Sequence, residues 1–229
     1  MGNRSTICRS WDVRLFPLFD AAADLLLGSA CPGCRRPGLG LCQACVEALS
    51  VPAFHLERSL PLPLAAANPY RPLLEHIVPA YKDDGALHLS RFLGRRLASA
   101  VQALGPPRGT VLVPAPSVPA AVRRRGFDHT QALAAVAART LGLTHRRWLR
   151  RGRGGADQSI LGRGQRRMNL AGAMRAVGGA RQSVVIVDDL VTTGATLLEA
   201  HRALTAAGAR VWGAAVIGDV DDRDAFPLV

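Results

Sequence analysis

Apolar residues recur at helix-like and strand-like spacings along the second half of the chain. Leu89, Leu93, Leu97, Val101 and Leu104 share one face of a helix predicted over 87–104. Later segments alternate between the two kinds of element: a strand at 110–113, an alanine-rich helix at 131–141, a strand at 183–187, a helix at 196–207 and a strand at 211–217. This order predicts an α/β fold with a mainly parallel sheet flanked by helices.

The first 72 residues lack this alternation. An apolar stretch that begins at Pro17 has helical spacing, but two aspartates interrupt it, so we predict a short amphipathic helix rather than a signal peptide. Nowhere are 18 apolar residues uninterrupted, so we expect no membrane insertion. Five prolines between residues 51 and 72 predict an extended linker. We therefore expect a helix and cysteine segment at 1–50, a linker at 51–72 and one α/β domain at 73–229.

Four of the five cysteines form two Cys-x-x-Cys pairs, Cys31 with Cys34 and Cys42 with Cys45. Two such pairs can place four thiolates around one tetrahedral ion, so we predict a structural Zn²⁺ site. The alternative is a pair of disulfides, which needs an oxidising compartment that no other feature of the sequence supports. We therefore expect a cytoplasmic protein whose cysteines form a structural clip or a docking surface.

Basic residues outnumber acidic residues by 29 to 17, which gives a net charge of +12. Such a charge favours anionic partners, either phosphorylated metabolites or nucleic acid. Arginines are concentrated between residues 145 and 181, and their dense run at 146–151 is the candidate surface for single-stranded nucleic acid: Arg146, Arg147, Arg150 and Arg151. The alternative is that arginines of this region close over a small phosphorylated ligand.

The strongest chemical signal lies at 184–196. Four consecutive apolar residues predict a buried strand, and Asp188 and Asp189 follow at its end, where ligands bind in parallel sheets. Adjacent carboxylates suit a polyhydroxyl group or a hydrated divalent cation. The Thr-Thr-Gly-Ala-Thr turn that follows offers N–H groups and hydroxyls to a phosphate at a helix N-terminus. A plain strand-to-helix turn would explain Thr196 as a cap, but not the two acids before it.

This loop resembles the phosphoribosyl pyrophosphate (PRPP) loop of type I phosphoribosyltransferases, and the rest of the chain resembles the ComF family of competence-associated proteins with that fold. The resemblance covers nearly the whole length. Besides the loop and the cysteines, it includes Tyr81-Lys82, Val113-Pro114-Ala115-Pro116, Arg125-Gly126-Phe127, and Gln158 with Arg166 and Asn169. The family usually continues Arg-Gly-Phe with Asn-Gln, where this chain has Asp128-His129, and the aromatic residue expected at Met174 is missing.

The resemblance implies roles for individual residues. Asp188 and Asp189 would form the catalytic pair and bind the ribose hydroxyls. The 5-phosphate would bind Thr192, Thr193, Gly194, Ala195 and Thr196, and the pyrophosphate would contact the loop Ala115, Pro116 and Ser117 together with Lys82 and Arg125. Mg²⁺ would bridge pyrophosphate and sugar oxygens, largely through water.

Two functions remain open at this stage. An enzyme of this family would transfer phosphoribose from PRPP to a nitrogen acceptor and release pyrophosphate. A non-catalytic module would use the PRPP site for regulation while handling single-stranded DNA in uptake or repair, with a competence helicase as a candidate partner. Fold alone does not decide between them.

Overall fold

The computed structural model describes residues 30–152 and 172–220, which form one α/β sandwich. The helices are α1 (Gln43–Leu49), α2 (Leu74–Lys82), α3 (Ser90–Ala103), α4 (Pro119–Arg125), α5 (His129–Leu141) and α6 (Ala195–Ala206). The strands are β1 (Phe54–His55), β2 (Leu64–Pro69), β3 (Val111–Pro114), β4 (Thr144–His145), β5 (Leu149–Arg151), β6 (Met174–Ala176), β7 (Ser183–Val191) and β8 (Arg210–Asp219). The predicted N-terminal helix and the Gln158, Arg166 and Asn169 stretch lie outside the described residues.

The main sheet has the strand order β1-β2-β8-β7-β3-β4. Strand β1 runs antiparallel to β2, and all other neighbours are parallel. The carboxyl ends of β2, β8, β7 and β3 therefore meet at one edge. This confirms the predicted mainly parallel sheet and brings the loops after these strands together.

The two faces of the sheet carry different layers. Because successive side chains of a strand point to opposite faces, Val185 and Val187 pack under α2, α3 and α5, whereas Val184 and Ile186 pack under α6. The antiparallel pair of β5 and β6 belongs to the α6 side, where Leu149 and Met174 are buried. This double cover explains the nearly continuous apolar character of β7.

The cysteine segment packs into the same core as α2 and α3. Cys31 and Cys45 are buried against this core, and the close approach has no room for a side chain at residue 33, where a Cβ would lie 3.0 Å from Cys45 Sγ and 3.3 Å from Ile77 Cδ1. Buried Arg96 anchors the end of the segment by donating from Nη2 to the carbonyl of Val51 at 2.6 Å. The segment is thus packed directly on the α/β domain.

The prediction of a linker at 51–72 is wrong for its second half. Residues 64–69 form β2, which lies inside the sheet between β1 and β8. Its alanines at 65, 66 and 67 are fully buried. Alanine carries little strand propensity, and the prolines stand at or near the ends of the strand, so the sequence pattern concealed a central strand whose small residues allow close packing.

No helix within the described ranges is long and apolar enough to cross a membrane.

Candidate active site

The two adjacent aspartates lie where β7 reaches the common edge of the parallel strands. The strand continues four residues beyond the predicted end at Val187, because Leu190 pairs with Gly218 and Val191 pairs with Asp219 of β8. Asp188 and Asp189 are therefore part of the strand, and their side chains point to opposite sides of it. Their surroundings differ accordingly.

Asp189 is buried and its carboxylate is bound by the protein itself. Its Oδ2 atom lies 2.5 Å from Lys82 Nζ, at the end of α2, and 2.8 Å from His129 Nε2, at the start of α5. Its Oδ1 atom accepts a hydrogen bond of 2.6 Å from the backbone N–H of Leu190. The side chain thus joins three elements around one charge.

The tautomer of His129 follows from its second neighbour. His129 Nδ1 lies 3.5 Å from Nη1 of Arg125, and a guanidinium can only donate. In the tautomer that accepts at Nδ1, the ring proton is on Nε2, which faces Asp189 Oδ2. Burial by itself would raise the pKa of Asp189, but the hydrogen bond from His129 and the charge of Lys82 outweigh it and lower the pKa to about 2.

Asp188 is in the opposite situation. Within the described residues, its carboxylate accepts a single hydrogen bond, 2.9 Å long, from the backbone N–H of Asp189. Burial and the neighbouring charge of Asp189 raise the pKa of Asp188 to about 7. Of the two predicted ribose-binding carboxylates, Asp188 is therefore the one with an oxygen left for an external partner.

The two predicted pyrophosphate contacts are engaged with carboxylates in this structure. Lys82 pairs with Asp189 as described above. Arg125 forms an ion pair of 2.9 Å between its Nη2 and Oδ1 of Asp83. Lys82 contacts Asp189 directly and Arg125 contacts His129, so both lie near the acidic strand end. A diphosphate that binds there would have to share these cations with their present partners.

The predicted phosphate turn follows β7 and opens α6. Gly194 occupies the cap position with a φ of 75°, in the left-handed region that favours glycine, and α6 begins at Ala195. Thr193 Oγ1 accepts from the N–H of Ala195 at 3.4 Å. Thr192 and Thr196 lie at the two ends of this turn, so all five predicted residues are adjacent in space as well as in sequence.

A segment that sequence reasoning missed covers this turn. Arg58 donates to the carbonyl of Thr192 at 2.7 Å and also pairs with Asp219, at the end of β8. A Cβ at Gly194 would lie 3.1 Å from the methyl groups of Leu60. Both residues belong to the proline-rich stretch, where no local pattern distinguishes Arg58 from its polar neighbours Glu57 and Ser59.

The second predicted loop lies on the neighbouring strand. The N–H of Ala115 donates to the carbonyl of Val187 at 2.9 Å, which holds the loop after β3 beside the acidic end of β7. Ser117 Oγ donates to Asp128 Oδ1 at 2.9 Å, and Asp128 also caps α5 by accepting from the N–H of Gln131. The predicted pyrophosphate loop is therefore fixed to the start of α5.

Three of the four arginines proposed for nucleic acid line a cavity with this loop. The cavity has a volume of about 380 Å³, and its walls include Pro116, Ser117, Arg147, Arg150 and Arg151. Arg151 Nε donates to the carbonyl of Pro116 at 3.0 Å. Arg146 is not among the lining residues. The arginines and the predicted pyrophosphate loop thus form one continuous surface.

The four paired cysteines converge on one point. Their sulfur atoms lie within 4.8 Å of one another, the Sγ atoms of Cys34 and Cys42 are 3.5 Å apart, and all four are free thiols. A tetrahedral ion with bonds of about 2.3 Å to sulfur would place its ligands roughly 3.8 Å apart. A hydrogen bond from Cys45 lowers the pKa of Cys31 to about 4, which favours a thiolate there. The cluster has the ligands and spacing to hold one metal ion.

Comparison with known proteins identifies related sequences. A model of the phosphoribosyl transferase domain matches residues 175–226. DNA utilization protein YhgH of Salmonella typhi is 30% identical over 200 residues, which cover 80% of this chain and 87% of that protein. Adenine phosphoribosyltransferase of Mycolicibacterium gilvum (strain PYR-GCK) is 55% identical over 38 residues, which cover 17% of this chain and 21% of that protein.

Among solved structures, UMP synthase of Leishmania donovani aligns with 17% identity and a TM-score of 0.38. The alignment covers 76% of this chain and 30% of the UMP synthase chain.

The sheet order, the acidic strand end beside a glycine turn, and the matching domain model define a phosphoribosyltransferase-like protein. The relative from Salmonella typhi matches over most of both chains, including the region before that domain. The chain belongs to the ComF family, as its motifs predicted.

Proposed function

We propose that this protein binds PRPP at the common edge of β7 and β3. The observation that carries the proposal is the unequal pair at the end of β7, where Asp189 is bound by Lys82 and His129 while Asp188 keeps a free oxygen. A carboxylate oxygen of this kind accepts hydrogen bonds from sugar hydroxyls. The glycine turn at 192–196 follows the same strand, and the 115–117 loop follows the neighbouring strand, which suits the two phosphate ends of PRPP.

The residues present also fit a divalent cation. Mg²⁺ takes oxygen ligands and keeps several of its waters, and it usually binds one or two carboxylates together with the phosphates of a substrate. Asp188 offers such a carboxylate oxygen. When bound with PRPP, Mg²⁺ would neutralise the charge of the diphosphate that leaves the sugar.

For group transfer, the protein would act by position and charge. The bond from ribose C1 to the diphosphate breaks, a bond to an acceptor nitrogen forms, and positive charge develops on the sugar ring. The carboxylate of Asp188 would stabilise this charge, and Arg151 and Arg125 are our candidates for contacts with the leaving diphosphate. No protein nucleophile is required.

We propose Zn²⁺ as the ion of the cysteine cluster, with Cys31, Cys34, Cys42 and Cys45 as ligands. Four sulfur ligands with paired Cys-x-x-Cys spacing favour Zn²⁺ in a closed structural site. There the ion would hold the segment 31–45 together, because this segment has few apolar residues of its own.

The test of PRPP binding is calorimetric titration with PRPP and Mg²⁺. We expect saturable binding to the wild type and binding weaker by about tenfold or more in Asp188→Ala, because a charge-assisted hydrogen bond is lost. Asp84→Ala, which removes an exposed acid from the turn after α2, is the matched control. Equal affinity in all three proteins would reject the site.

Turnover is measured separately. Pyrophosphate release is followed in the same mixture with a panel of nucleobases and amines as acceptors. Release that depends on an acceptor supports an enzyme, whereas binding without release supports a PRPP-binding module.

A second candidate function is the handling of single-stranded DNA, favoured by the similarity to a protein named for DNA utilization and by the exposed Arg146, Arg147 and Arg150. We propose that these arginines attract the phosphate backbone with little sequence preference, because Trp148 is the only aromatic residue beside them.

The test is oligonucleotide affinity across a salt series for wild type and a triple variant with Arg146, Arg147 and Arg150 changed to Gln. Arg151 is kept because it holds Pro116. The control removes the same charge from exposed arginines elsewhere, Arg108, Arg181 and Arg210. A salt slope that is reduced by the first variant and kept by the control supports the surface, and equal slopes reject it.

A further inference from the structure

A second basic cavity lies between α3 and α5, apart from the cavity beside the 115–117 loop. It has a volume of about 510 Å³, and it is lined by Leu87, His88, Arg91, Arg95, Val136 and Arg139, together with two hydroxyl residues. We refer to it as the α3–α5 cleft. None of these residues belongs to the candidate active site.

The close crossing of the two helices determines where the cleft forms. A Cβ at Gly94 would lie 2.4 Å from the Cβ of Val136, so the helices touch backbone against side chain at this point. Arg91 and Arg95 flank Gly94 on α3, and Arg139 follows Val136 by one turn on α5. Guanidinium groups therefore stand on both walls of the cleft.

The charges of the cleft are not balanced by the protein. Within the described residues, neither Arg91, Arg95 nor Arg139 pairs with a carboxylate, and no acidic residue lines the cleft. Other arginines of the molecule do pair, for example Arg147 with Asp128 and Arg202 with Glu199. Three like charges around one concavity repel each other, and an anion bound between them relieves that repulsion.

We propose that the α3–α5 cleft is a second anion site, which binds the phosphate group of an organic phosphate. Arginine is suited to this because its planar fork of N–H donors matches phosphate oxygens. The apolar side chains of Leu87 and Val136 border the arginines and offer contact to the uncharged part of the same ligand. The volume lies within the range of small-molecule sites, roughly 300–1,000 Å³.

The cleft is separate from the proposed PRPP site. His129, which contacts Asp189, is the first residue of α5, and Arg139 lies ten residues further along the helix, or about 15 Å at 1.5 Å per residue. At its other end the cleft adjoins the cysteine segment, where a Cβ at Gly40 would lie 3.5 Å from the ring of His88. One ligand of moderate size cannot occupy both sites.

The first test locates the anion by chemical protection. Phenylglyoxal, which modifies accessible arginines, is applied with and without pyrophosphate, and each modified residue is quantified by mass spectrometry. We expect pyrophosphate to slow the modification of Arg91, Arg95 and Arg139 severalfold and to leave the exposed Arg108 and Arg210 unchanged. Because each residue is read individually, binding at the PRPP site does not affect the result, and failure of the PRPP proposal would not mimic failure here.

A second test uses charge-matched variants. Arg91, Arg95 and Arg139 are changed together to Gln, and the control changes Arg108, Arg181 and Arg210. The readout is the modification of His88 by diethyl pyrocarbonate, which pyrophosphate bound in the cleft should slow. We expect the first variant to need about tenfold more pyrophosphate for the same protection of His88, and the control to behave like the wild type.

Parallel arms identify the source of the phosphate. Protection by pyrophosphate at lower concentration than by a thymidine 12-mer supports a site for a small phosphorylated ligand. The reverse order indicates a nucleic-acid backbone and would overturn the assignment to an organic phosphate. Absence of protection by both probes at millimolar concentration, with wild-type melting behaviour, would overturn it.

Discussion

The cysteine cluster and the acidic end of β7 both bring groups of like charge together, but the protein completes only one of them from its own side chains. At β7, Lys82 and His129 bind Asp189 and leave Asp188 open. In the cluster, the sulfur atoms of four cysteines face one another within 4.8 Å. The metal ion proposed above would balance their thiolates, with all four sulfurs as its ligands.

The comparison shows two ways of stabilising like charges. Where the protein supplies the countercharge, the site is organised before a ligand arrives, and the free carboxylate is oriented for that ligand. Where an ion supplies it, local folding and ion binding become the same event. The first kind of site should tolerate loss of its ligand, and the second should not.

The largest effect should come from the cluster. Cys34→Ser removes one of four ligands, and we expect it to lower metal content below one ion per chain and to destabilise the fold by about 3 kcal/mol or more, because ion binding supplies folding energy. Metal content is measured by atomic absorption and stability by thermal unfolding. Cys8→Ser, outside the paired cysteines, is the control and should change neither. A fully folded metal-free protein with wild-type melting would remove the distinction between the two regions.

A smaller effect is expected from Asp189. Asp189→Asn leaves the ammonium of Lys82 without its countercharge in a partly buried position, so we expect a loss of about 2 kcal/mol in unfolding free energy. The matched substitution is His129→Gln, because a Gln amide can donate the same hydrogen bond to Asp189. It should cost about 0.5 kcal/mol or less, whereas His129→Leu should cost about 1–2 kcal/mol.

Denaturant titration at pH 7 checks these three variants. Equal losses for His129→Gln and His129→Leu would mean that His129 contributes by packing rather than by its hydrogen bond to Asp189. Lys82 would then be the one side chain of the pair that stabilises the Asp189 carboxylate.

The sequence predicted those features that local patterns encode. The alternation of strands and helices, the glycine turn and the paired cysteines depend on residues a few positions apart. It did not predict β2, because alanine and flanking prolines carry a weak strand signal, nor the extension of β7 through Asp188 and Asp189, because adjacent acids rarely continue a buried strand. Here the backbone pairing with β8 overrides the side-chain preference.

The contacts that distinguish the two aspartates were beyond sequence reasoning for another reason. His129 is 60 positions before Asp189, and Arg58 is 134 positions before Thr192. Without the fold, neither spacing indicates contact. His129 was noted only as a departure from the family pattern, and its role follows from the structure of α5 and β7 together.

The smallest predicted effect concerns Asp188 and its dependence on pH. Its pKa is raised from 3.8 to about 7 in the folded protein, so the folded state binds a proton that the unfolded state has released between these values. The stabilising contribution of this group is therefore present below about pH 4 and is lost as the pH rises through 7. Asp188→Asn cannot titrate, and its stability relative to wild type should increase from pH 6 to pH 8 by about 1.4 kcal/mol. Thermal melting at four pH values measures this, with Asp84→Asn as the exposed control that should follow the wild type.

If Asp188→Asn also loses affinity for PRPP, the open carboxylate is a group that costs stability and is kept for binding, as active-site residues often are. A difference that is constant over this pH range would instead mean that Asp188 is already satisfied, and that the two aspartates are alike.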